Sequence, residues 1–484
     1  MQTRDTLYIG GEWVSPATAS TIEVVSPTTE EVIARVPEAT EADVDRAVKA
    51  AEAALYGPYA ELSADERADL LVKLSQAIQA RSQELADTIT AEMGSPSSWS
   101  LMGQVFSSTM VFDAWAELVR TYPFEELRAG ALGPVVVRKE PVGVSAGIIP
   151  WNVPLFIVAL KLGASLAAGS PMILKPSPET PLDGYILGEI FDEIGLPKGM
   201  VSILPAGREV GEYLVRHPGV DKVSFTGSTA AGRKVGAACG ELLKPVTLEL
   251  GGKSAAILLD DADLPATVPL LMGSALMNNG EACIAQTRIL APRSRYDEVV
   301  DALSDAVRGS TVGDPTDPSV VVGPLVAERQ RARVLGYIDK GRNEGAKLAV
   351  GGGRPSNMDK GWFVEPTLFV DVDNTMTIAR EEIFGPVLSV IPYDSETDAL
   401  RIANDSDYGL SGSVWTQDVE RGLDVARKVR TGTYGINQYG TIDMKNPFGG
   451  YKASGLGREL GPEGLSAYLE TKSIILPGGY EPKL

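Results

Sequence analysis

Of 484 residues only two are cysteines, and one stands where a thiol could react. Cys283 lies in Asn278-Asn279-Gly280-Glu281-Ala282-Cys283-Ile284-Ala285-Gln286-Thr287-Arg288, whose polar residues and glycine read as a loop. A thiolate is a strong nucleophile, but an ordinary thiol has a pKa near ~8.5 and needs surroundings that expose and activate it. Cys239, at the end of Gly232-Arg233-Lys234-Val235-Gly236-Ala237-Ala238-Cys239, reads as the interior of a helix and as inert apolar filler. Taken alone, Cys283 also reads as inert sooner than as a nucleophile, so the rest of the chain must decide. The single histidine, His217, falls in the turn Arg216-His217-Pro218-Gly219. Any cysteine–histidine or serine–histidine pair would have to use it, multi-histidine metal sites are excluded, and no catalytic role and no metal are expected.

Three further stretches could serve a reaction. In Leu248-Glu249-Leu250-Gly251-Gly252-Lys253, alternation along a strand puts Glu249 on the face opposite Val246, Leu248 and Leu250. A carboxylate so placed is either a structural hydrogen-bond acceptor or a general base with a raised pKa. In Lys175-Pro176-Ser177-Pro178-Glu179-Thr180-Pro181, Lys175 could donate to ribose hydroxyls or be a solvated surface lysine. Phe225-Thr226-Gly227-Ser228-Thr229-Ala230-Ala231-Gly232 combines a glycine turn, hydroxyl residues and a helix start, which together favour an anion such as phosphate. Two better-known phosphate patterns fail here. Gly455 and Gly457 are followed by Gly461 at the wrong spacing for a dinucleotide fingerprint, and Gly252-Lys253-Ser254 has Thr247 where a P-loop needs glycine.

These stretches require elements to hold them. Residues 7–36 alternate in strand fashion around Gly10-Gly11 and Ser26-Pro27. Val44, Ala47, Val48, Ala51 and Leu55 form a helical stripe, and Ser63-Ala64-Asp65-Glu66 is a capping box for one long helix carrying Leu71, Leu74, Ile78, Leu85 and Ile89 to a stop at Gly94. From 142 onward, strands at 142–149, 172–175, 201–204, 222–226 and 246–250 alternate with helices at 154–169, 180–194, 208–216 and 228–241. Such alternation predicts a doubly wound α/β fold with its ligand crevice at the carboxyl ends of the parallel strands. The apolar run from Val142 to Gly169 is interrupted by Pro150, Asn152, Pro154 and Lys161, which favours a strand and a buried helix over a membrane span. Residues 121–140 break the pattern and read as an inter-subunit arm. A net charge of −20 disfavours nucleic acid and anionic membrane as partners. Two widely spaced cysteines and a polar start, Met1 to Leu7, fit a cytoplasmic protein without a secretory signal.

Taken in order, these segments resemble the NAD(P)-dependent aldehyde dehydrogenases. The resemblance is carried by Pro150-Trp151-Asn152-Val153-Pro154, Lys175-Pro176-Ser177, Phe225-Thr226-Gly227-Ser228-Thr229 and Leu248-Glu249-Leu250-Gly251-Gly252-Lys253. It continues through Gly280-Glu281-Ala282-Cys283, Glu381-Glu382-Ile383-Phe384-Gly385-Pro386 and Pro447-Phe448-Gly449-Gly450-Tyr451-Lys452, and so spans essentially the whole chain. It implies that Cys283 attacks an aldehyde, that Asn152 and the Cys283 backbone N–H hold the oxyanion, and that Glu249 activates water. For the cofactor, NAD with NADP as the alternative, it implies Lys175 at the adenosine ribose, Gly227 and Ser228 beside the pyrophosphate, Glu382 on the nicotinamide ribose and Phe384 near that ring. Ile148, Pro150, Trp151, Ser177, Gly207, Phe225, Thr226, Leu250 and Gly251 would also line the cofactor site.

The resemblance also implies a Rossmann-type cofactor domain (1–120 and 142–251, with 453–466), an α/β catalytic domain (252–452) and a small β oligomerisation arm (121–141 and 467–484). The arm and a strand from Thr471 to Leu476 would pair between subunits of a homodimer or homotetramer. Positions matching the family's aldehyde tunnel, Val153, Ile157, Leu160, Ile284 and Ile442, are all aliphatic; they suit an apolar aldehyde or are ordinary core. A CoA-acylating or semialdehyde dehydrogenase and a non-catalytic structural protein are the alternatives. In two places the chain departs from the family. Pro178 stands where NAD-preferring members often carry glutamate, which leaves NAD preferred only modestly, and Glu281 and Gln286 replace the commoner glutamine and glycine.

Overall fold

The computed structural model describes residues 2–438, 440 and 442–480. Residue 1, residues 439 and 441, and residues 481–484, which fall in the expected cofactor domain, catalytic domain and arm, lie outside the described residues.

The alternating segments after 142 form the expected parallel sheet. Its eight strands run in the order Gly455–Leu456, Val246–Glu249, Lys222–Thr226, Ser145–Ile148, Met172–Lys175, Val201–Ile203, Leu7–Ile9, Glu12–Val14. The middle five are parallel, and the flanking three are added antiparallel. Chain order reverses between Ser145–Ile148 and Lys222–Thr226, so a crevice opens at their carboxyl ends. Helices cover both faces, so the parallel strands are buried on both sides; Met172–Lys175 and Val201–Ile203 are mainly apolar, whereas Lys222–Thr226 and Val246–Glu249 alternate polar with apolar side chains. Val144, Ala146, Val223, Leu248 and Cys239 pack into one layer, and the helix Pro154–Ala168, buried along its entire length, packs with Phe112 and Trp115 into the other. Among the described residues no helix is long and apolar enough to cross a membrane.

A second sheet of seven strands begins with Lys347–Val350, antiparallel at its edge. It continues through Thr367–Val370, Val387–Tyr393, Arg288–Pro292, Ala255–Leu258, Gly412–Trp415 and Gly435–Ile436, all parallel. The Cys283 turn immediately precedes its central strand, Arg288–Pro292. It therefore sits at the amino end of that strand, beside the segment leaving Glu249 at the carboxyl end of a strand in the first sheet. A third small sheet pairs Gln2–Thr3, Val32–Pro37 and Thr21–Val25.

One expectation requires correction. The helix capped by Ser63, whose hydroxyl and Glu66 form the reciprocal box, ends at Ala80, and a separate helix Ser82–Met93 carries Leu85 and Ile89 to Gly94. The break falls at Arg81, whose guanidinium is drawn to Glu84, Glu189 and Glu193; neither glycine nor proline marks it. The strand Leu469–Ile475, which overlaps the one expected from Thr471 to Leu476, pairs along its whole length with Val135–Pro141 of the same chain, and Glu125–Arg128 completes that sheet. The antiparallel partner is thus supplied within the chain, which leaves Leu132, Ile474 and Ile475 exposed.

Candidate active site

Cys283 reaches its position through an unusual backbone. After the helix Leu264–Ala275, Asn278 (φ 51°), Asn279 (φ 62°) and Gly280 (φ 74°) follow one another in the left-handed region. Asparagine tolerates that region better than most residues because its amide can bond locally. Asn279 Nδ2 donates to Gly94 O (3.0 Å) and Pro324 O (2.9 Å), while its Oδ1 accepts from Gly323 N (2.7 Å). The polar residues before the cysteine are therefore buried, although the sequence suggests an exposed loop: Asn278, Asn279, Gly280 and Glu281 are all inside. Cys283 itself is half-buried and packs against the apolar cluster that contains Ile157 and Leu160. Burial, followed by the charges of Glu382 and Glu249, pushes its thiol up to about 12, whereas the backbone N–H groups of Cys283 and Ile284 act in the other direction. Cys239 is fully buried in the helix Thr229–Glu241.

The turn is closed over the strand end that carries Glu249. A side chain at Gly252 would strike the carbonyl of Cys283, so the close approach of the two segments requires glycine there. Glu249 points away from Leu248 and Leu250, as the alternation predicts, and is 3 % exposed. Neither of its carboxyl oxygens has a hydrogen-bond partner among the described residues. Burial, then the charge of Glu459, raises its pKa well above the usual carboxylate range, against the pull of Lys161 and Arg458. Glu459 in turn accepts from Lys161 Nζ (2.6 Å), which also donates to Ser224 Oγ (3.0 Å), and this ion pair lies wholly inside the protein. Neither Lys161 nor Glu459 was singled out as functional from the sequence. The available signal was the lone lysine in an otherwise apolar helix, which demands a buried counter-charge.

Asn152 is buried at the start of the same helix, in the loop after Ser145–Ile148. Its Nδ2 donates to Glu281 O (2.9 Å), and its own carbonyl accepts from Asn278 Nδ2 (2.8 Å). Cys283, Asn152 and Glu249, separated in sequence, are thus brought to one place by three segments. Glu281 Oε1 accepts from Val326 N (3.2 Å), and burial raises its pKa well above the carboxylate range. Gln286 accepts from Ser413 Oγ. Both departures from the family pattern are therefore buried braces of the turn.

The crevice beside this centre has the features a dinucleotide needs. Gly227 N donates to Glu249 O (3.0 Å), and Ser228 caps the helix Thr229–Glu241, accepting from Ala231 N. Thr226 Oγ1, at the adjoining strand end, is buried without a hydrogen-bond partner among the described residues. Lys175 is 6 % exposed, which excludes the solvated reading. Its ammonium donates to Pro176 O (2.9 Å) and Ala206 O (2.7 Å), and burial lowers its pKa to about 8. Ser177 lies in the loop beyond, and Gly207 precedes the helix Arg208–Arg216. On the far side, Glu382 fits against Gly251, where any side chain would collide with it, and accepts from Gly252 N (2.9 Å). Burial raises Glu382 to about 7. Phe384, in the left-handed region at φ 64°, meets Trp151 edge to face with centroids 5.3 Å apart. Pro150, Ile148 and Leu250 flank the two strand ends. Of the tunnel positions, Ile157 and Leu160 are core residues, whereas Val153, Ile284 and Ile442 are partly buried and pack, like Cys283, against the same apolar cluster. Among the described residues no acidic, histidine or cysteine cluster could hold a metal.

Residues 13–474 match the aldehyde dehydrogenase family. The chain belongs to that family. It is an oxidoreductase acting on aldehydes. A geranial dehydrogenase of Castellaniella defragrans is 48% identical over 98% of each chain. A 3-succinoylsemialdehyde-pyridine dehydrogenase of a Pseudomonas species is 44% identical, again over 98% of each. A Mycobacterium tuberculosis aldehyde dehydrogenase solved with NAD+ is 49% identical, superposes with a TM-score of 0.98, and matches over 99% of this chain and 100% of its own.

Proposed function

We propose that this aldehyde dehydrogenase oxidises apolar aldehydes to carboxylic acids by way of a thioester on Cys283. The observation that carries the reading is Glu249: a buried carboxyl with both oxygens unpartnered, next to a thiol, is placed for proton transfer and performs no structural bonding. The Cys283 thiol releases its proton to solvent, its sulfur bonds to the aldehyde carbon, and the π pair of the carbonyl moves onto its oxygen. The oxygen, now negative, is held by the Asn152 amide and the backbone N–H of Cys283, and losing one such donor typically costs on the order of 100 to 1,000-fold in turnover. NAD held in the crevice would supply the hydride acceptor; loss of a hydride from this carbon restores its double bond to oxygen and leaves Cys283 acylated. Glu249 then takes a proton from water, whose oxygen bonds to the acyl carbon while the carbon–sulfur bond breaks and the thiolate leaves. CoA-acylating relatives characteristically lack this carboxylate, and a non-catalytic protein would have no use for it.

The cofactor-site residues fit NAD. Thr226 Oγ1 and the third Lys175 hydrogen are free to bond, and Gly251 leaves room for Glu382 to face the nicotinamide ribose. Preference over NADP rests with Glu179, one position after Pro178. It is bonded to Ser177 and to the Arg329 guanidinium, and its charge bears on Lys175. A 2'-phosphate beside Lys175 would meet that carboxylate. Glu179→Gln should tighten NADP relative to NAD by about tenfold, equivalent to ~1.4 kcal/mol, in a direct titration of protein fluorescence; an unchanged ratio would remove Glu179 from this role.

Val153, Ile284 and Ile442 offer no charge to a substrate carboxylate, which favours a geranial-like aldehyde over a semialdehyde. Across linear aldehydes, kcat/KM should rise by up to about fourfold for each methylene buried, the equivalent of ~0.8 kcal/mol, and a semialdehyde of equal length should be disfavoured. A preference for the semialdehyde would overturn the apolar assignment. The sheet containing Val135–Pro141, with Leu132, Ile474 and Ile475 exposed, supports a homodimer or homotetramer. Two unpaired cysteines fit a reducing, cytoplasmic setting.

A further inference from the structure

Asn278 joins the two walls that the proposed oxyanion would face. It is 2 % exposed, and all of its side-chain bonding is inside the protein. Its Nδ2 donates to Asn152 O (2.8 Å) and Glu281 O (3.2 Å), and its Oδ1 accepts from Ser95 Oγ (2.8 Å). The Glu281 carbonyl receives a second amide hydrogen from Asn152 Nδ2 (2.9 Å). One hydrogen of the Asn152 amide is thereby committed to Glu281, which fixes the plane of that amide and leaves the other hydrogen for a negative oxygen. The backbone of residue 152 and the backbone two residues before Cys283 are locked to each other by a single side chain.

We infer that Asn278 is a positioning residue for the oxyanion donors, holding the Asn152 amide and the Cys283 turn in register; the inference rests on the roles proposed above for Cys283 and Asn152. Its neighbour supplies the contrast. Asn279 is equally buried, equally left-handed and also forms three side-chain hydrogen bonds, but they go to Gly94, Pro324 and Gly323, away from residue 152. If burial and backbone conformation were all that mattered, the two asparagines would be equivalent. Misplacing a donor by about an ångström can cost on the order of 100-fold in rate without loss of binding.

The test replaces each with glycine, which keeps the left-handed backbone accessible. Asn278→Gly should lower kcat by about tenfold or more with KM little changed, whereas folded Asn279→Gly should keep kcat within about twofold. In an Asn152→Ala background, Asn278→Gly should lower kcat by clearly less than it does alone, because one of the two donors it positions is gone and only the Cys283 N–H remains. The rate of Cys283 alkylation by iodoacetamide, which needs no oxyanion donor, should be nearly unchanged. Equal losses of kcat in the two glycine variants, or a full further loss in the Asn152→Ala background, would overturn the inference. If Asn278→Gly does not fold, Asn278→Asp, which keeps the turn but cannot donate either hydrogen, is judged by the same coupling to Asn152. Should Cys283→Ala retain turnover, the underlying assignment fails; should it lose turnover while Asn278→Gly is silent, only this inference fails.

Discussion

Replacing Cys283 with alanine is expected to abolish aldehyde oxidation while leaving the fold and cofactor binding intact. Removing a covalent nucleophile typically costs on the order of a million-fold in kcat, and no other thiol can substitute. Cys239 is fully buried in a helix on the opposite face of the first sheet, and burial raises its pKa further. Cys239→Ala should therefore turn over at close to the parent rate. A steady-state assay of reduced cofactor on both variants, with circular dichroism to verify folding, separates the two cysteines. Appreciable turnover by Cys283→Ala would remove the thioester route.

Glu249→Gln should divide the reaction in two. Without a base for water the acyl group stays on Cys283, so a rapid burst of about one reduced cofactor per active site should be followed by a steady state slower by about 100 to 10,000-fold. The pH dependence has a definite sign. Burial and Glu459 hold the Glu249 proton well above the usual carboxylate range, and the base is the ionised form. Hydrolysis should therefore rise with pH as that raised pKa is passed and be lost below it, and the limb should disappear from the deacylation rate of Glu249→Gln. Stopped-flow bursts measured across the pH range would test this; unimpaired steady-state turnover would remove Glu249 from its assigned role.

The parallel sheet was legible in the sequence because its strands are buried on both faces, which turns each into a short apolar run bounded by turn residues. Lys222–Thr226 and Val246–Glu249 are the exceptions, since each alternates polar with apolar residues, and the carboxylate of the second flagged itself. The break at Arg81 carried no such mark: it depends on Glu189 and Glu193, more than a hundred residues away in sequence. The same holds for the arm, where apolar runs at Val135 and Ile474 showed two edges in need of partners but not that they would satisfy each other. At the candidate site, the residue types of Cys283, Asn152 and Glu249 could be read, but their convergence could not, because it depends on where two sheets meet. Asn278 was hardest of all. An asparagine two places before a glycine reads as part of an ordinary turn, and only its bonds to residues 152 and 281 distinguish it from Asn279.

The central claim is that an aldehyde becomes a free acid through an acyl group on Cys283 that Glu249-activated water releases. It is tested most directly by mixing the protein with NAD and an apolar aldehyde in water enriched in heavy oxygen, without CoA. Reduced cofactor and acid should form in equal amounts, the acid carrying one solvent oxygen, and mass spectrometry of Glu249→Gln stopped during the burst should find Cys283 acylated. No reduced cofactor with any aldehyde, or acid formed while Cys283 stays unmodified in that variant, would contradict it.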